Sequence, residues 1–318
     1  MVGREVAARH SWRPAPRRKQ MSRKVLPLVA ALVALILPAT RVLAHGVVGQ
    51  RTFIEPIVAE DANPKNEFAI LRPGWFRTGE GREFSLGFSL EKKVSENSSL
   101  SLESEWLALS PKDPAEPYTT GFSNLEVSYK YAFLTLPKHE FRLSAAGILG
   151  LPTGNQDAGA ETHTRVGPEL LWAWGLGDIP NRGVWKYLRP FAIQGDVGYT
   201  IKTGGKSNDD LFADNVIQYS LPYLSNFVRD FGLRWPLRNL ILYTEFNYDQ
   251  IVTGRSGTTF PDIRITPGIA YMDYYVELSV ATQFPLNNAT VPDNHAVLLG
   301  LIDLFIDDIV PSTNWTPF

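Results

Sequence analysis

Phe84-Ser85-Leu86-Gly87-Phe88-Ser89-Leu90 alternates apolar and small residues without a break. Successive side chains of a strand point to opposite faces, so this stretch has one apolar and one polar side. Leu125, Val127, Tyr129, Tyr131 and Phe133 repeat the rhythm around Glu126, Ser128 and Lys130. The period continues to the end of the chain, with no convincing amphipathic helix between. Two architectures write such a pattern: a soluble β-sandwich, and a membrane barrel whose apolar face meets lipid.

The amino terminus separates the two. Arg4, Arg9, Arg13, Arg17, Arg18, Lys19, Arg23 and Lys24 precede an apolar run from Val25 to Leu37, and Ala39-Thr40-Arg41-Val42-Leu43-Ala44 closes it. A basic region, a short apolar run and small residues before a cut make a secretory signal peptide. The run is too short to cross a bilayer as a helix, which needs about 20 residues. We therefore assign 1–44 to a signal peptide, with Met21 as an alternative start.

This leader holds nine of the 31 basic residues and one of the 33 acidic ones. The remaining chain has 22 basic and 32 acidic residues, a net charge of −10. Such a balance excludes a nucleic-acid partner, because nothing neutralises phosphate. The chain has no cysteine, which removes thiolate metal sites and thiol chemistry.

Strands are expected near 66–72, 83–91, 99–109, 122–134, 140–150, 164–175, 187–202, 215–224, 239–249, 262–271, 274–284 and 295–306. Most are as long as a tilted strand needs to cross a bilayer, about ten residues. Connections expected to be long (73–82, 110–121, 151–163, 203–214, 285–294) alternate with short ones (92–98, 135–139, 272–273), as in outer-membrane barrels. The segment 176–186 is intermediate, and 225–238 is too long for its place and reads as a small helix or a plug. Pro168, Pro190, Pro222 and Pro267 each remove a ladder donor and are expected at bulges or strand ends.

The fold expected is therefore all-β: a single antiparallel transmembrane barrel of about 12 strands in the outer membrane. Residues 45–65 are assigned to a periplasmic segment, 66–306 to the barrel and 307–318 to a tail. Outer-membrane lipids and the barrel-assembly machinery are the expected partners, beside small-molecule solutes. The polar face carries Glu103, Glu105, Glu126, Lys130, Arg142, Arg165, Glu169, Asp196, Glu245, Arg264 and Glu277. These are the candidates for lining the lumen and setting its selectivity, or for filling it with ion pairs.

No catalytic constellation emerges, and no cofactor is implied. Gly204-Gly205-Lys206-Ser207 lacks the earlier glycine of a phosphate loop, since position 200 is Thr200. Ser104 faces outward without a histidine to serve it, as a lipase would require. His45 becomes the terminal residue after cleavage at Ala44. A terminal amine and its imidazole can together hold a metal such as Cu(II).

Gly121-Phe122-Ser123-Asn124-Leu125-Glu126-Val127-Ser128-Tyr129-Lys130-Tyr131 and Gly147-Ile148-Leu149-Gly150-Leu151-Pro152-Thr153-Gly154 resemble an outer-membrane family labelled "MetA-pathway of phenol degradation". The resemblance implies a transporter-like barrel and passive passage of small solutes, hydrophobic or aromatic ones among them. Non-transporting scaffolds or ligand-binding barrels remain the alternative, with a lipid-modifying enzyme behind them.

Overall fold

The computed structural model describes residues 46–77, 81–203, 209–253, 260–287, 297–313 and 315–317. The leader assignment and His45 lie outside the described residues, as does the Gly204–Ser207 stretch. A small hairpin, β1 (Val47–Val48) and β2 (Arg51–Thr52), comes first. Then follow β3 (Glu67–Arg77), β4 (Gly81–Ser95), β5 (Ser98–Pro111), β6 (Thr119–Phe122), β7 (Leu125–Leu136), β8 (Phe141–Leu151) and β9 (Arg165–Gly175). The remainder are β10 (Phe191–Lys202), β11 (Asp209–Ser220), β12 (Leu240–Thr253), β13 (Asp262–Met272), β14 (Val276–Pro285) and β15 (Val297–Phe305).

From β3 onward each strand pairs antiparallel with the next, except that β6 and β7 both pair with β5, and β15 pairs with β3 to close the sheet. Both β6 and β7 pair with β5, at Trp106↔Phe122 and Glu103↔Glu126. They form one stave with a one-residue offset at Ser123–Asn124, where the Glu105 amide donates to the Ser123 hydroxyl at 2.9 Å. The result is the expected closed barrel of twelve antiparallel staves, with no free edge to template further pairing.

Alternation dictates the two faces. On β12, Leu242 is 46% exposed whereas Ile241 is 1% exposed; on β14, Val280 is 54% exposed and Ser279 7%. Leu90, Tyr131, Leu170, Ile217 and Ile269 join the outward apolar belt. Ser89, Lys130, Glu169, Gln218 and Thr266 are buried inside. An apolar wall around a polar interior is the membrane version of the barrel, not the sandwich.

Three expectations are corrected. The segment assigned to the periplasm runs inside the barrel over its described part, as detailed below. The long–short rhythm breaks at three places: 78–80 is short because β3 and β4 run on past the expected strand ends, and the rim bearing both termini carries the long 176–190 and 221–239. The second of these is built from a helical turn, Leu221–Tyr223, continuing through Leu224–Val228, and is not the plug. The prolines also behave differently. Pro190 and Pro222 do lie just beyond strand ends, but Pro168 and Pro267 lie inside β9 and β13 without a bulge. Each coincides with a gap in one ladder, between Gly198↔Glu169 and Ile201↔Val166, and between Ile265↔Phe284 and Gly268↔Ala281. The missing donor is thus absorbed by a skipped pairing, at unchanged register.

Candidate functional site: the occupied lumen

Residues 46–66 enter from the terminus rim and fold within the lumen. Gly49 lies at the turn between β1 and β2 with φ of +66°. A Cβ there would sit 2.0 Å from the Pro137 carbonyl oxygen, so the close approach to the β7–β8 turn requires glycine. Phe53, Ile54, Ala59 and Ala62 are fully buried. Ile54 and Ala59 pack on Val216, Ile241, Tyr243 and Ala270, whereas Phe53 and Ala62 pack on Ala146, Leu171, Ala173 and Ala192. Inward-facing apolar residues near the terminus rim thus form a true core with the segment.

Beyond its hairpin the segment has no sheet partner, so its backbone groups need another source of hydrogen bonds. Lumen side chains provide it. The Glu245 carboxylate accepts from the amides of Ile57 (2.9 Å), Val58 (3.0 Å) and Ala59 (3.0 Å). Glu277 accepts from Glu55 N at 3.1 Å, Asp196 from Glu60 N at 2.7 Å, and Glu91 from Lys65 N at 3.2 Å. Gln194 donates to the Ile54 carbonyl, Gln218 to that of Thr52 and Ser144 to that of Ala62. Arg142 donates to Asn63 Oδ1 at 2.7 Å.

Ion pairs complete the lock. Lys65 meets Glu55, Asp61 (3.3 Å) and Glu67 (2.7 Å); Arg72 reaches Glu55 at 2.6 Å; Lys130 binds Glu60 at 2.7 Å. Burial pulls the Lys65 ammonium down, but Glu55 and the other nearby carboxylates outweigh this and hold it above its usual range. Near the rim, Arg51 is buried against Glu140 (3.1 Å), the Pro190 carbonyl (2.8 Å) and the Arg189 carbonyl. Its guanidinium lies 3.8 Å from the centre of the Tyr223 ring, and Tyr223 in turn donates to Glu140 at 2.9 Å.

Above this segment, toward the far rim, the lumen stays open. A cavity of about 500 Å³ is bounded by Val58 and Glu60 below and by barrel side chains around it. Its carboxylates are Glu60, Glu103, Glu126, Glu169, Asp196, Asp214, Asp249 and Asp262, against Arg72, Arg165 and Arg264. Arg165 pairs with Glu126, and Arg264 with Asp262. A second cavity of similar size shares Arg72, Glu103 and Glu126 and adds Pro73, Phe76, Phe88 and Glu105.

All eleven residues expected in the lumen point inward, but to two places. Glu245, Glu277, Lys130 and Arg142 hold the inner segment, and Asp196 does so while also bordering the cavity. Glu103, Glu126, Arg165, Glu169 and Arg264 line the first cavity, and Glu105 the second. Sequence reasoning missed Glu60, Arg72, Asp214, Asp249 and Asp262. Asp214 and Asp262 share the parity of Gln218 and Arg264 and were legible. Arg72 was not, because a register shift between Ala69 and Arg72 turns it inward.

Among the described residues no group of carboxylates and histidines has metal-binding geometry. His139 pairs with Asp178 at 2.9 Å on the terminus rim, and Ser104 donates to the Ser123 carbonyl at 3.3 Å.

A closed twelve-stave sheet, apolar toward lipid and polar within, defines an outer-membrane β-barrel. Among solved structures the chain resembles the COG4313 outer membrane channel from Pseudomonas putida F1, with a TM-score of 0.57 and 10% identity. The match covers 79% of this chain and 99% of that one. A KdgM porin (TM-score 0.43, 13% identity, 74% of this chain and 97% of that one) and a NanC porin (0.45, 10%, 76% and 98%) follow. No family model matches the chain, and no curated protein matches it.

Proposed function

We propose that this protein lets small solutes cross the outer membrane passively, along a lumen narrowed by its own residues 46–66. The carrying observation is the charged cavity that continues the polar lumen above that segment. Glu103, Glu126, Arg165, Glu169 and Arg264 are its selectivity residues, acting on the field that a narrow low-dielectric tube focuses. Eight carboxylates against three arginines favour cations over anions. Planar-bilayer recording on the purified protein tests this reading. The expected result is small unitary conductance with a cation-selective reversal potential, rising several-fold when 46–66 is deleted. A folded barrel that passes neither ions nor solutes in either form would sink it.

The resemblance of 121–131 and 147–154 to the phenol-degradation family supports aromatic cargo as the finer reading. Phe76 at the second cavity is the surface such a ring would touch. Liposome swelling with an aromatic acid and a sugar of equal size distinguishes the two cargo classes. The second reading is a non-transporting barrel, favoured by the many bonds that hold 46–66. It predicts no conductance in the intact protein and a wide pore in the deletion. For a lipid-modifying activity we expect no turnover in a lipase assay.

A further inference from the structure

The two long connections on the terminus rim, 176–190 and 221–239, meet and form one surface. Arg229 donates to the Tyr187 hydroxyl at 3.3 Å and lies 5.0 Å from the Phe231 ring. The Tyr187 and Phe231 rings are 6.2 Å apart. Farther along, the Trp235 indole donates to the Tyr271 hydroxyl at 3.0 Å. Tyr271 has the same parity on β13 as Ile269, which is exposed on the lipid side of the wall. The later part of the second connection, around Trp235, therefore lies toward the membrane side of the rim, while Tyr223 at its start packs on Arg51.

Trp185 and Trp235 are 64% and 65% exposed, and Phe231 and Leu237 are exposed beside them. The two connections hold six arginines and lysines, including Arg229, Arg234 and Arg238, against only Asp178 and Asp230. Asp178 is already engaged by His139. The far rim has the opposite sign: connections 112–118 and 152–164 carry Asp113, Glu116, Asp157 and Glu161 against Lys112 alone. A net positive pair of connections on an otherwise acidic protein calls for an anionic neighbour.

The side-chain chemistry narrows that neighbour. Indole rings, with an apolar body and one N–H, settle at the level of lipid headgroups. Guanidinium forks match phosphate oxygens. Exposed tryptophan, phenylalanine and leucine interleaved with basic residues are the composition of segments that lie in the plane of a membrane surface.

We propose that 176–190 and 221–239 form a site for anionic phospholipid headgroups in the leaflet on the terminus side. Arg229, Arg234 and Arg238 take the phosphates, and Trp185 and Trp235 seat among the lipid chains' polar ends. The test uses the full protein, delipidated in detergent and titrated with phosphatidylglycerol or phosphatidylcholine, with bound lipids counted by native mass spectrometry. Phosphatidylglycerol should bind about ten-fold or more tighter than phosphatidylcholine, and the combined Arg229→Gln, Arg234→Gln and Arg238→Gln variant should lose that preference. Lys112→Gln on the far rim should leave it unchanged, and heat-modifiable gel mobility verifies that each barrel is folded. Equal binding of the two lipids by the native protein, or an undiminished preference in the triple variant, overturns the proposal and leaves an acidic protein as the occupant of this rim.

Discussion

At the scale of single residues, Glu245 shows how much one lumen side chain can hold. Its carboxylate accepts three backbone amides from Ile57, Val58 and Ala59. Glu245→Gln keeps the shape but turns one acceptor into a donor facing those amides. We expect a loss of about 2–3 kcal/mol in docking of the inner segment. Limited proteolysis within 46–66 should accelerate accordingly, with the barrel itself intact. Lys130 is the second test. It sits between Glu60 and buried Glu91, so Lys130→Met leaves a buried carboxylate without its cation. The expected cost is about 3–5 kcal/mol, read as a lower temperature at which the folded band disappears on a gel. Alternation alone pointed Lys130 and Glu245 inward. What they bind there was not legible, because the segment assigned to the periplasm has no strand or helix period.

Among the elements, the strands were legible and the connections less so. A period of two is a local property, and all twelve staves announce it. Connection length depends on where strands end, and tertiary contacts decide that. The stretch expected to end a strand at 224 already turns helical at Leu221, where the Ser220 hydroxyl accepts from the Tyr223 amide at 3.1 Å. Where β9 and β10 skip their pairing beside Pro168, the strands approach closely. A Cβ on Gly167 would sit 1.9 Å from the Tyr199 carbonyl oxygen, whereas one on Gly147 would meet nothing within 4 Å. Gly167→Ala should therefore destabilise the barrel by about 1–3 kcal/mol or more, and Gly147→Ala should be near neutral. Thermal melts of the two variants side by side check this, and equal melting temperatures would contradict the close approach.

For the whole molecule, the interior divides into a packed lower part and an upper part that holds the charged cavity, and function is assigned to the upper one. Exchanging Glu103 and Asp214 for their amides removes two of the eight carboxylates around the cavity. The reversal potential in a salt gradient should move toward zero, while unitary conductance changes little. An unchanged potential would mean that solutes follow another route. The order of events during biogenesis also follows from this architecture. The lumen that receives 46–66 exists only once the last strand, β15, has zipped onto β3. Contacts such as Glu55 N to Glu277 join positions 222 residues apart in the chain. The stretch that leaves the ribosome among the first must therefore wait, unpaired, until the final staves arrive. Contacts so distant along the chain make for slow maturation. Pulse-labelled protein should pass through a closed, heat-resistant barrel whose inner stretch is still open to protease before the mature form appears.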